Sequence, residues 1–185
     1  MSVAIVLGGA KRALTELGEA ELIAPNAPII AVNDALRVAP RKPIAFATLH
    51  SEKAKQFTDG VDLRGVRLFA HAPAAGWDFE LVQERFGGSS GLFATLIAIR
   101  QLGFAGVILA GVPLQSTARH MVAPGVWAEG HAERYQQGWA RAAGVMKLYL
   151  RVRSMSGWTR ATFGAPDPAW LHSLSQPELR GHSRA

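Results

Sequence analysis

The stretch that most constrains this chain is GGSSGLFATLIAIRQLGFAGVILAG, residues 87–111. A glycine-serine loop runs into a segment where Leu92, Phe93, Leu96, Ile97 and Ile99 leave almost no polar face before Gln101. Gly103 falls where a left-handed C-terminal cap would sit, and residues 106–111 are a short apolar run ending in glycine. A helix and a strand that are apolar on nearly every side need cover on both faces, which places them in the middle of an α/β sandwich. Ser89 or Ser90 would cap the helix, and the bare glycines would let an anion reach backbone N–H groups. The same five residues are equally compatible with a plain tight turn and a good N-cap.

The rest of the chain alternates strand and helix around that unit. Strands are expected at 3–7, 29–32, 44–48, 66–70, 106–111 and 146–152, and helices at 11–20 (Ala13, Leu14 and Leu17 inward), 51–57, 79–86 and 129–143. Tyr135, Trp139 and Ala142 face inward on the last helix and read as core. Residues 112–128 have no clean period and hold two prolines, as a lid past a strand end would. Helical crossovers between most strands imply a three-layer, Rossmann-like α/β sandwich: a mainly parallel sheet of about six strands with helices on both faces. This domain is expected over residues 1–153, with a loosely packed tail over 154–185.

Composition narrows the function classes. With 185 residues and 49% hydrophobic content, the chain can bury a real core. It has no cysteine, which excludes disulfides and thiolate metal sites. The start, MSVAIVLGG, lacks a signal peptide's basic lead and apolar length, and no run reaches membrane-spanning length, so a cytoplasmic protein is expected. The net charge of +6 is scattered. It suits an anionic ligand, and no basic helix with interleaved aromatics signals nucleic acid. Arginine-, alanine- and glycine-rich usage with few lysines points to a GC-rich bacterial or phage genome. A homo-oligomer is compatible with everything read so far.

In an open parallel sheet the ligand sits beyond the carboxyl ends of the strands, where strand order reverses. That rule selects Gly8 and Gly9, Asn33 and Asp34, Leu49 and His50, the 89–91 helix start, and Gly111 with its loop. The first turn is neither a G-x-G-x-x-G fingerprint nor a P-loop, which demotes nicotinamide dinucleotides and P-loop chemistry.

The stretches IVLGGAKRAL (5–14), IIAVNDAL (29–36), GSSGLFATLIAIRQLGFAGVILAGVPL (88–114) and EGHAERYQQGWARAAGVMKLYL (129–150) occur in the motif order of a known superfamily. The chain resembles the bacterial CMP-sialic-acid-dependent sialyltransferases and the related pterin pyrophosphokinase-like proteins over roughly residues 3–152. The resemblance implies that Gly8 and Gly9 lie under the nucleotide phosphate or ribose and that Asn33 binds the nucleotide. It further implies that Ser89, Ser90 and Gly91 hold phosphate or ribose, that Gly111 makes room beside the base, and that His131 is the general base. An imidazole suits that task, because in its neutral form it can take an acceptor hydroxyl proton near neutral pH.

The chain also departs from the pattern. Gly9 replaces an asparagine, Lys11 and Arg12 replace a proline-serine pair, and Pro113 stands where an acidic residue is usual. The tyrosines around the leaving phosphate have no match in 112–128, where Gln115, His120 and Trp127 occur instead. Lys11 could replace a lost phosphate contact, while Arg12 reads as a solvated first-turn residue. Asp34 could hold a ribose hydroxyl or a metal, or cap the next helix. His50 and His120 could meet a ligand or simply face water.

The six histidines lack metal-site spacing, so no resident metal is expected. Mg²⁺ arriving with a nucleotide needs only one or two carboxylates. The expected activity is a nucleotide-dependent transferase, most like a CMP-sugar glycosyltransferase, with no tightly bound cofactor and a nucleotide or nucleotide-sugar as its small-molecule substrate. The alternatives are a Mg-ATP pyrophosphokinase-like enzyme and a non-catalytic nucleotide-binding or assembly protein.

Overall fold

The computed structural model describes residues 2–118, 120–121 and 130–175. Its centre is a seven-stranded, wholly parallel sheet in the order β5-β4-β3-β2-β1-β6-β7. The strands are β1 (Val3–Leu7), β2 (Ile29–Val32), β3 (Ala45–Thr48), β4 (Arg67–Ala70), β5 (Glu80–Leu81), β6 (Gly106–Ala110) and β7 (Val152–Ser154). The helices are α1 (Ala13–Ile23), α2 (Ala35–Val38), α3 (Ala54–Thr58), α4 (Ser90–Arg100), α5 (His131–Met146), α6 (Leu148–Arg151), α7 (Gly157–Phe163) and α8 (Pro168–Ser173).

Alternation along the strands builds the three layers. Ile5, Leu7, Ile29 and Ile108 pack with Ala13 and Leu17 of α1 and with Trp170 of α8 on one face. Ala4, Val6, Ile30, Val32, Val107 and Leu109 pack with α4 and with Trp139 of α5 on the other. Ten of the eleven α4 residues are buried, so the all-round apolar pattern of this helix has the physical meaning expected of it. Gly103 adopts the left-handed conformation, with φ 72°. From β1 the chain works outward to β5, then returns through α4 to β6 on β1's other side. The order therefore reverses between β1 and β6, and a crevice opens beyond their carboxyl ends.

Several expectations are corrected. The sheet has seven strands, not six. Residues 79–86 form no helix: β5 pairs with β4, Val82 N–H donates to Ala70 O at 2.9 Å, and Phe79 is buried in the cluster around Phe46 and Phe57. Residues 146–152 are not a strand. Lys147 takes a left-handed φ of 51° between α5 and α6, and β7 begins only at Val152. The apolar alternation there misled because Leu150, one of its apolar positions, is 49% exposed. On α1 the inward face is Ala13, Glu16, Leu17 and Ala20, while Leu14 is exposed.

The expected boundary at 153 falls inside β7, and residues 154–175 are packed. Phe163 stacks against Trp139 at 5.6 Å, and Trp170 Nε1 donates to Leu150 O at 3.1 Å. Residues 176–185 of the expected tail, and 119 and 122–129 of the expected lid, lie outside the described residues. No described helix is long and apolar enough to cross a membrane.

Candidate functional site

Gly8 N–H donates to Ala110 O at 2.8 Å and Ala10 N–H to Gly111 O at 3.2 Å, so the exits of β1 and β6 are laced together. A Cβ on Gly8 would strike the Gly111 carbonyl and the Val112 side chain. Gly111 is left-handed, φ 73°, and a Cβ there would strike Ala13. A Cβ on Gly91 would sit 2.9 Å from Val112. The protein's own backbone and side chains therefore require glycine at 8, 91 and 111, and that is a sufficient reason for these residues besides any ligand. Glu16, only 2% exposed, accepts the Gly111 N–H at 2.7 Å and fixes this corner from α1.

Around the corner opens one crevice, lined by Gly8, Gly9, Asn33, Ser89, Ser90, Gly91, Gly111 and His131, and also by His50, His120 and Tyr135. All eight residues to which the resemblance gives a role thus line it, from the ends of β1, β2 and β6 and the starts of α4 and α5, whereas Asp34 and Leu49, which the strand-end rule also selected, do not. Lys11 and Arg12 do not line it; both are exposed, and Arg12 lies 4.0 Å from Glu19.

The inner side of the crevice offers donors. Asn33 holds a left-handed φ of 51°, a conformation asparagine tolerates better than most residues. Thr48, fully buried, accepts the His50 N–H at 2.9 Å and donates to Asn33 Oδ1 at 2.8 Å. With Oδ1 committed, Asn33 has its Nδ2 hydrogens left to offer. Ser89 is the N-cap of α4: its Oγ accepts Leu92 N–H at 3.4 Å and Trp139 Nε1–H at 3.2 Å. Ser90 Oγ accepts Leu49 N–H at 3.2 Å. Both hydroxyls keep a hydrogen to donate, and the first-turn N–H groups of Ser90 and Gly91 have no carbonyl within the helix. Trp139 is core, as expected, but its indole N–H also ties α5 to the cap.

The outer side carries the imidazoles. His131, the first residue of α5, is exposed, with its ring 6.1 Å from that of half-buried Tyr135. His50 Nδ1 lies 3.4 Å from Glu52 Oε1. The Glu52 carboxyl is held below the usual carboxylate range, first by its own backbone N–H and then by the charge of His50. His120 is bridged to Ala10, Met121 N–H donates to Gly9 O at 2.8 Å, and a Cβ on Gly9 would overlap the His120 ring. Gly9 therefore makes room for an imidazole. His120 Nε2 is 3.9 Å from Asp34 Oδ2.

Asp34 does not cap α2; it is 8% exposed, and its Oδ1 is buried without a hydrogen-bond partner among the described residues. Such an oxygen costs roughly 1–3 kcal/mol. The strand-end rule pointed to His50, but only the fold shows that His50 and His120 share a crevice with His131. Glu16 and Thr48 escaped the sequence reading because their hydrogen bonds, to Gly111 and Asn33, join residues far apart along the chain.

The loop after β6 is braced by the C-terminal segment and by α5. Thr159 Oγ1 donates to Val112 O at 2.7 Å, Trp158 N–H to Pro113 O at 2.8 Å, and Gln136 Nε2 to Leu114 O at 2.8 Å. Trp127 lies outside the described residues, and Gln115 is exposed. Among the described residues no three metal-binding side chains gather. Compared with protein-family models, curated proteins and solved structures, the chain matches none.

Proposed function

We propose that this crevice binds a nucleoside phosphate and that the chain is a nucleotide-dependent transferase, most like a CMP-sugar glycosyltransferase. The observation that supports this reading is the donor set on the inner side: Asn33 Nδ2, the Ser89 and Ser90 hydroxyls, and the free N–H groups at the start of α4. An acceptor-rich, negatively charged guest satisfies them, with the α4 macrodipole adding to the attraction. A sugar carried on the phosphate would then face the imidazoles of the outer side. One of these takes the proton of the attacking hydroxyl as the nucleoside monophosphate leaves. By the resemblance stated above, that residue is His131.

The test is thermal unfolding with CMP, CDP, UDP, ADP and ATP, each with and without Mg²⁺. At one hundred times its dissociation constant a ligand adds roughly 2.7 kcal/mol. For a chain of this size that raises Tm by roughly 5–10 °C. A response to CMP alone is the expected result. Stabilisation by ATP only with Mg²⁺ would instead favour pyrophosphoryl transfer, and no response across the panel would refute nucleotide binding.

A further inference from the structure

A serine oxygen has two lone pairs and one hydrogen. At Ser89 the Trp139 indole N–H, at 3.2 Å, and the Leu92 N–H, at 3.4 Å, occupy both lone pairs. Among the described residues no acceptor takes the hydrogen, and Ser89 is only partly buried where it lines the crevice. The hydrogen is therefore left for a guest.

Trp139 reaches Ser89 because α5 lies directly on the loop that precedes α4. A Cβ on Gly138 would sit 2.8 Å from the Gly87 carbonyl and from the Gly88 backbone, so glycine is what permits that approach. Arg141 Nη2 donates to Phe86 O at 2.6 Å and holds the same loop. The Trp139 ring is fully buried, with its centroid 5.6 Å from that of Phe163, and this packing fixes the direction of its N–H. Filling the space needs only an aromatic ring. The indole adds a donor, and the acceptor it finds is a crevice residue.

We infer that Trp139 is a positioning residue of the crevice: by filling one lone pair of Ser89 Oγ it makes that hydroxyl a donor toward the guest's phosphate oxygen. This rests on the nucleoside phosphate reading. Without the indole N–H, a lone pair is released and the hydroxyl can turn. Part of the population then presents a lone pair to the anion, which repels it, although Ser89 is still in place.

The test is calorimetric titration of wild type, Trp139→Phe, Ser89→Ala and the double variant with CMP and with inorganic pyrophosphate. Trp139→Phe should weaken binding about fivefold and Ser89→Ala about tenfold. In the Ser89→Ala background Trp139→Phe should cost nothing further, because no hydroxyl is left to orient. An equal loss in both backgrounds would mean that Trp139 acts through packing alone. That result, or unchanged affinity in Trp139→Phe, overturns the proposal. If pyrophosphate shows the expected pattern and CMP does not bind, the nucleotide reading fails and the role of Trp139 stands. If neither binds the wild type, both fail.

A second measurement, by NMR on the unmodified protein, needs no variant to fold. As Ser89 donates to the anion, its oxygen becomes a stronger acceptor. The Trp139 indole proton should then move to lower field and exchange more slowly in the saturated complex, while those of Trp77 and Trp170, which lie elsewhere in the fold, stay put. An unmoved Trp139 proton at saturation overturns the proposal.

Discussion

α4 and α5 both begin at the crevice, yet they are anchored in different ways. α4 starts from a serine cap, with Ser90 and Gly91 buried and nine further residues behind them, all but Arg100 buried as well. α5 starts from a left-handed Gly130 with no side-chain cap, and its first residue, His131, is exposed. The inner side is therefore framework: Asn33 and Ser89 are held by hydrogen bonds from the buried Thr48 and Trp139, and Ser90 by one from the Leu49 N–H. The outer side is side chains on the surface of that framework. Groups that must hold a guest in one place belong on the first kind of support, and groups that must meet a second reactant belong where it can arrive.

The largest effect that would break this contrast is expected at Gly111. Gly111→Ala puts a Cβ into Ala13 at a left-handed φ of 73°. It should cost roughly 3 kcal/mol or more, combining conformational and overpacking penalties. Urea denaturation measures it, and a loss below about 1 kcal/mol would mean the corner is not the rigid framework described.

Thr48→Val sharpens the contrast in the middle of the range. The substitution keeps the shape but removes the hydrogen bond that orients Asn33 and leaves the His50 N–H without its acceptor. Stability should fall by about 1–2 kcal/mol, and CMP affinity, read by calorimetry, about tenfold. Affinity equal to wild type would show that Asn33 needs no orientation.

The smallest effect is expected at the far edge of the sheet, which serves as the control. Arg67 pairs with Glu80 at 2.7 and 2.6 Å across the β4–β5 pair, and both side chains are about half exposed, at 47% each. Hydrogen bonds from Arg67 hold the Glu80 carboxyl below its ordinary value. A depressed carboxyl contributes stability above its unfolded pKa and loses it as pH falls through the folded value. The pair's contribution should therefore be present at neutral pH and vanish in the acid range below the usual glutamate pKa. For an exposed pair it is about 1 kcal/mol or less, so Arg67→Ala should shift the acid limb of a stability–pH curve slightly and leave CMP binding untouched. A change in CMP affinity would mean that the edge and the crevice are coupled.

What was legible in the sequence had local causes. The 87–111 stretch announced the most buried helix and strand because no other environment covers a segment without a polar face. The residues after each strand could be chosen in advance because parallel topology brings those ends to one side. Where local pattern and long-range pairing conflicted, pairing won. Phe79, Val82 and Phe86 recur at helical spacing, yet 80–81 is a strand because β4 offered an open edge.

The chain by itself determined a parallel α/β sheet and the set of residues at its carboxyl end, since apolar period and turn chemistry act between near neighbours. Only the tertiary structure decided that Gly8, Gly91 and Gly111 are small because the protein crowds them, and that Gly9 makes room for His120. The same holds for the buried side chains of Glu16, Thr48 and Asp34 behind the crevice. Steric crowding and the hydrogen bonding of buried polar groups depend on atoms far apart in sequence, and no spacing along the chain encodes them until it is folded.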